Sequence, residues 1–195
     1  MERPLKALLI VSLCASASAC AGAVKNMRAV EYVNTAVNPN EAMVIFLRPS
    51  GMGFGVQSSV FEISENRQAT LVGIVAAKKK LAYRTTPGPH TFMIIGESAD
   101  FMYADLQPGK TYHAIAQVRM GVWKARFSLQ PVHAYDRGQL PGYLADSSWV
   151  ETGPESLQWA RENSADIEEK RAEYYLKWMQ KPAAERPMLR PDDGQ

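Results

Sequence analysis

The sequence predicts a mainly β protein: an antiparallel β-sandwich of about seven to eight strands, followed by a C-terminal α-helical tail. Three observations carry that prediction. Period-two patterning and β-branched runs fill residues 41–132, punctuated by turn residues. Apolar residues between Pro154 and Lys181 recur at spacings of three and four, as on one face of a helix. At 195 residues, 46% apolar and 22% charged, the chain suits one globular domain plus a targeting segment.

Arg3 and Lys6 precede an apolar run from Ala7 to Ala15, and small residues follow through Ala23. A charged start, a short apolar core and a small-residue exit make a bacterial export signal over 1–19. The apolar run is about half the roughly 20 residues a membrane span needs. Ala17-Ser18-Ala19 fits ordinary signal cleavage, and the same residues before Cys20 resemble a lipobox, with Ala17 where leucine is usual. Both cysteines, Cys14 and Cys20, lie within the first 20 residues. A leftover thiol in an oxidising compartment is reactive, and lipid on Cys20 removes it. Cys20 is therefore the expected lipid-attachment residue. Residues 20–40 are small and polar and read as a tether.

Within 41–132 the strands fall in order. Glu41–Arg48 is a continuous apolar run, as in a strand buried on both faces. Gln57–Ile63 alternates; Ala69–Ala76 is apolar and β-branched; Leu81–Thr85 is short. His90–Glu97 and Phe101–Leu106 flank a turn at Ser98-Ala99-Asp100. Thr111–Met120 sets Tyr112, Ala114, Ala116 and Val118 on one face and His113, Ile115 and Arg119 on the other. Val122–Val132 returns after Gly121. Pro87-Gly88 and Pro108-Gly109 read as turns in which proline presets φ and glycine takes the positive φ that follows.

Three elements in sequence carry a resemblance: MVIFLRPSG at 43–51, PGPHTF at 87–92 and LQPGKTYHA at 106–114, completed by VRMGVWKARFSLQPV at 118–132. Together they resemble a family of uncharacterised bacterial lipoproteins related to PEGA-type β-sandwich modules. The resemblance covers about half the chain. It implies a small envelope sandwich without known catalysis. Ala21 is not the aspartate that such lipoproteins place after the cysteine for inner-membrane retention, which implies an outer-membrane, periplasm-facing location.

Residues 133–153 are rich in glycine, proline and serine and read as a linker. A helical tail over 154–181 starts with Pro154 in its first turn. Leu157, Ala160, Ser164, Ile167, Arg171, Tyr174 and Trp178 share one face, and Asn163 to Asp166 can split the helix. Residues 182–195 read as a disordered C-terminus.

The candidate sites are few. Gly51-Met52-Gly53-Phe54-Gly55 follows a strand, as a phosphate loop does, but Val56 replaces the third glycine of a dinucleotide fingerprint and a strand follows. A flexible hairpin loop is expected. Lys78-Lys79-Lys80 reads as a solvated strand edge guarded by lysine. His90, His113 and His133 lack a partner at metal-ligand spacing, and no nucleophile elbow occurs. Trp123, Trp149, Trp159 and Trp178 read as core or interface filling ahead of glycan stacking. The net charge of +2 makes no case for nucleic acid. The expectation is a non-enzymatic binding or structural module, lipid-anchored in the cell envelope. It has no catalytic residue, metal or cofactor, and an envelope protein or glycan is its partner. The alternative is an envelope enzyme acting on peptidoglycan or another glycan.

Overall fold

The computed structural model describes residues 24–120 and 125–195. The expected export signal at 1–19, Cys20 and Trp123 lie outside the described residues. The fold is mainly β, with eleven strands among the described residues. They are β1 (Arg28–Val30), β2 (Ala42–Arg48), β3 (Ser58–Ile63), β4 (Ala69–Val75), β5 (Lys79–Thr85), β6 (Gly88–Ile95), β7 (Ala99–Leu106), β8 (Thr111–Met120), β9 (Ala125–Pro131), β10 (Ser148–Glu151) and β11 (Met188–Leu189). Three helices join them: α1 (Leu140–Ala145), α2 (Pro154–Glu162) and α3 (Ser164–Met179).

The strands form two sheets. One runs β1-β10-β5-β2-β8-β9 and the other β11-β7-β6-β3-β4. Both are mixed, which corrects the antiparallel expectation. β2 lies parallel to β8, β10 parallel to β5, and β11 parallel to β7. Local patterning makes each strand but does not choose its neighbour.

The main core lies between the sheets. Val44, Phe46, Tyr112 and Ala114 from one meet Val60, Phe92, Ile94 and Met102 from the other. Phe46 and Phe92 cross edge to face at 5.1 Å. β2 is buried along its whole length, as its unbroken apolar run predicts. Its outward-facing Leu47 packs under Leu140 of α1 and Val132. Tyr112, Ala114 and Ala116 face inward, as the period-two pattern of β8 requires. Gly109 takes φ +74°, the positive value that a type II turn demands after proline.

The tail docks on the outer face of the second sheet. Ile167 and Trp178 of α3 pack on Phe61, Met93, Ile95 and Phe101. Glu168 accepts a hydrogen bond from the Ala69 backbone N–H at 3.2 Å, and Lys181 reaches Asp100 at 3.2 Å. Helix α2 ends at Asn163, whose side chain donates to Trp159 O at 2.8 Å rather than capping α3. Leu157 is exposed, so the break there turns α2 away from the stripe that α3 continues.

Three expected boundaries change. The tether does not run to residue 40. Val24 is already buried in the core, and β1 pairs with β10. From Cys20 to Val24 the chain can span at most about 14 Å. The linker contains α1 and β10, and Val150 of β10 is fully buried. The C-terminus is ordered. Leu189 is fully buried, and Gln195 exchanges both backbone hydrogen bonds with Thr111 at 3.0 Å. Gly194 lies where a Cβ would come within 2.6 Å of the Tyr112 ring, so only glycine lets the tail pass.

Candidate functional site

The exposed loop after β2 is built on a buried cation. Arg48 ends β2 and is fully buried. Its Nη1 donates to Val56 O at 2.6 Å, and its Nη2 donates to Met52 O at 2.7 Å and Gly53 O at 2.8 Å. The guanidinium lies 4.8 Å from the centre of the Phe127 ring. Burial lowers the Arg48 pKa from its usual value. The glycine-rich segment is thus neither a phosphate loop nor a flexible hairpin. A phosphate nest points N–H groups inward, whereas this loop points three carbonyls at a cation. It crosses from one sheet to the other, because β2 and β3 lie in different sheets.

Wrapping its polar backbone around Arg48 leaves the loop's side chains outside. Phe54 is 81% exposed, Met52 55% and Val56 39%. Beside them runs a cleft of about 1360 Å³, lined by Lys25, Phe54, Lys78, Lys80, Asp146 and Trp149 among others. The lysine run is not at a sheet edge, since β5 lies between β10 and β2. Lys79 is buried and donates to Ser148 Oγ at 2.8 Å. Lys80 donates to Leu144 O at 2.5 Å and lies 4.5 Å above the Trp149 ring. Lys78 is exposed and 3.7 Å from Asp146. Two of the three lysines therefore fasten β10 and α1 to β5, and Lys78 faces solvent.

Each histidine has a different setting. His90 Nε2 donates to Thr86 O at 2.8 Å, so its Nδ1 meets Glu62 as the second N–H of an imidazolium. The Tyr83 hydroxyl donates to the other Glu62 oxygen. Glu62 and His90 belong to one sheet and Tyr83 to the other, so the cluster clips the open edge of the core. Burial pushes His90 down, but the Glu62 bond, the Thr86 carbonyl and the Glu62 charge outweigh it and hold its pKa above the ordinary value. Burial pushes Glu62 up, and the His90 and Tyr83 bonds outweigh it and hold Glu62 below its ordinary value. Burial and Glu62 push the Tyr83 phenol up.

His113 sits buried on the outward face of β8. Burial, with the Arg137 charge, pushes its pKa down to about 4. His133 Nδ1 lies 2.9 Å from Asp193 of the C-terminal segment. Asp193 is buried and also accepts the backbone N–H groups of Ala134 at 2.9 Å and Arg190 at 2.7 Å. Burial pushes Asp193 up, but these amides and His133 outweigh it and hold its pKa below the usual carboxylate value. His133 does stand beside a carboxylate, yet that carboxylate is the clamp that holds the chain's end. Among the described residues, no three His, Cys, Asp or Glu side chains are grouped to hold a metal ion.

These settings give a pH dependence with two limbs. His113 has a folded pKa near 4 against an ordinary 6.5. The unfolded chain binds its proton first, so stability falls as pH drops between those values, by about 3 kcal/mol when complete. His90 has a raised folded pKa. Its contribution is full below the ordinary 6.5 and is lost as pH rises through the folded value. Glu62 contributes above its ordinary 4.5 and loses that as pH falls through its lowered value. Thermal midpoints should therefore peak near neutral to mildly acidic pH. His113→Phe should flatten the acid limb and His90→Gln the alkaline limb. Parallel midpoint curves for wild type and both variants would count against these assignments.

Of the tryptophans, Trp178 is core, Trp159 packs partly buried against both the inter-sheet core and the residues under α3, and Trp149 lines the basic cleft. Sequence reasoning missed Arg48, Glu62 and Asp193. The one local signal was an arginine closing a wholly apolar strand just before a glycine-rich loop. No protein-family model matches the chain, and no curated protein matches it. Among the described residues, no helix is long and apolar enough to cross a membrane.

Proposed function

We propose that the chain is a lipid-anchored bacterial cell-envelope protein. Its β-sandwich is a non-enzymatic binding or structural module, akin to the PEGA-related lipoproteins that its motifs resemble. The outer membrane, with the domain facing the periplasm, is the expected location, and Cys20 is the lipidated residue. One observation carries the reading. The small-residue exit Ala17-Ser18-Ala19-Cys20 leads, within four residues, into a residue buried in the core. An anchor at Cys20 thus joins a folded body almost directly. The engagement of His90 and His133 in holding sheets and tail together supports a structural rather than a catalytic use of those rings.

The test is mass spectrometry of the mature N-terminal peptide. A diacylglycerol thioether with an amide-linked chain on Cys20 is the expected result. Several acyl segments hold a protein firmly, because each buried methylene contributes about 0.8 kcal/mol. Cys20→Ser is expected to move the protein to a soluble fraction or to leave it unprocessed. An unmodified start at Cys20 or Val24 would overturn the proposal.

A further inference from the structure

We infer that the loop tip formed by Met52, Phe54 and Val56, with Lys25 and Lys78 beside it, is a second contact with an anionic phospholipid bilayer surface. The inference rests on the lipid-anchor reading for its geometry, and on the loop itself for its chemistry.

The loop is the first part. Three apolar side chains protrude from one short segment, and Phe54 is four-fifths exposed. Floppiness does not explain this exposure. Arg48 binds the carbonyls of Met52, Gly53 and Val56, which fixes the backbone and turns the side chains outward. An aromatic and two aliphatic side chains on a pinned tip suit shallow burial at the headgroup and acyl boundary. Isolated exposed apolar residues need no explanation, but a held cluster does.

Charge is the second part. The cleft beside Phe54 carries Lys25, Lys78, Lys79 and Lys80 against Glu31 and Asp146. Lys79 and Lys80 are occupied by Ser148 and Leu144; Lys25 and Lys78 are exposed, Lys78 in a solvent-exposed pair with Asp146 at 3.7 Å. Juxtamembrane lysines are drawn to anionic lipid over about a Debye length. Cations around an apolar tip complement a phosphate-bearing surface.

Chain length is the third part. Lys25, on this cleft, stands five positions after Cys20. Those five residues reach at most about 18 Å. A lipid on Cys20 therefore places this side of the domain next to the bilayer.

The experiment uses the processed full chain carrying Phe54→Cys labelled with an environment-sensitive dye. A second preparation carries Glu173→Cys on the exposed side of α3. Each is mixed with vesicles of phosphatidylcholine alone and of phosphatidylcholine with phosphatidylglycerol, and the N-terminal mass is determined on the same sample. Emission at position 54 should shift to the blue with phosphatidylglycerol, and emission at 173 should stay at its solution value. Lys25→Glu with Lys78→Glu should abolish the shift. Lipid present on Cys20 with solution-like emission at 54 overturns the inference and leaves the anchor standing. If Cys20 carries no lipid, the anchor reading fails. The same measurement on Phe54→Cys with Cys14→Ser and Cys20→Ser, in which position 54 alone takes the dye, then decides: the inference stands if the shift with phosphatidylglycerol persists and falls if it does not. An equal shift on phosphatidylcholine alone, an undiminished shift in the charge variant, or a blue shift without vesicles that grows with protein concentration also overturns it. The last of these would assign the tip to a second copy of the chain.

Discussion

Trp178→Ala is expected to destabilise the protein by about 3–5 kcal/mol, the range for removing a large aromatic from a core. Trp178 is 2% exposed on the outer face of the second sheet. Its ring lies 4.8 Å from Tyr103 and 5.6 Å from Phe101, with the Arg186 guanidinium 5.6 Å from its centre. No smaller residue fills a space enclosed on those sides, and α3 is anchored elsewhere only by Ile167 among its fully buried side chains. For a chain of this size, a loss of that magnitude lowers the thermal midpoint by roughly 6–20 °C. Trp178→Phe separates packing from polarity. The indole N–H is buried without a hydrogen-bond partner, so replacing it removes a polar penalty along with some volume. The Phe variant should retain most of the stability. Equilibrium denaturation decides the matter, and a loss below about 1 kcal/mol for the Ala variant would refute docking through this residue.

The apolar face of α3 was legible in the sequence because its residues recur at helical spacing, whereas the surface that receives it was not. The eight longer strands were legible because each is an alternating or continuously apolar run of several residues bounded by glycine, proline or polar turns. β1, β10 and β11 were not, since runs of two to four residues hold too little alternation to register. They exist because neighbouring strands offer edges. β10 slots between β1 and β5, and β11 lies along β7. The partners at the polar clusters were hidden by distance along the chain. Glu62 lies 28 residues from His90, and Asp193 lies 60 from His133. A histidine's role depends on the group that folding brings to it. The loop hides its rigidity for a related reason. Its glycines advertise freedom, and the residue that removes that freedom precedes them inside an apolar strand.

Arg48 decides whether the loop is built or merely tolerated. Taking a guanidinium out of water costs several kcal/mol, and replacing buried charges by apolar residues can stabilise a protein. The Nε of Arg48 is buried without a partner, which adds to that cost. Against it stand three carbonyls and the face of Phe127. Hydrogen bonds from a charged donor contribute about 1.5–3 kcal/mol each, and abandoned buried acceptors cost about 1–3 kcal/mol each. Even with part of the loop turning to water, the three bonds should outweigh desolvation. Arg48→Met is therefore expected to cost about 3–5 kcal/mol by these magnitudes, and to speed hydrogen exchange at the Val56 N–H, which now donates to Gly53 O at 2.9 Å. Arg48→Lys should recover only part of the loss, because one ammonium cannot hold three carbonyls in the geometry of a planar fork. Denaturation of both variants, with exchange at Val56 as the local readout, tests this. If Arg48→Met is as stable as wild type and Val56 stays protected, the loop owes its shape to its own turns and not to the buried cation. The outward display of Phe54 then loses its physical cause.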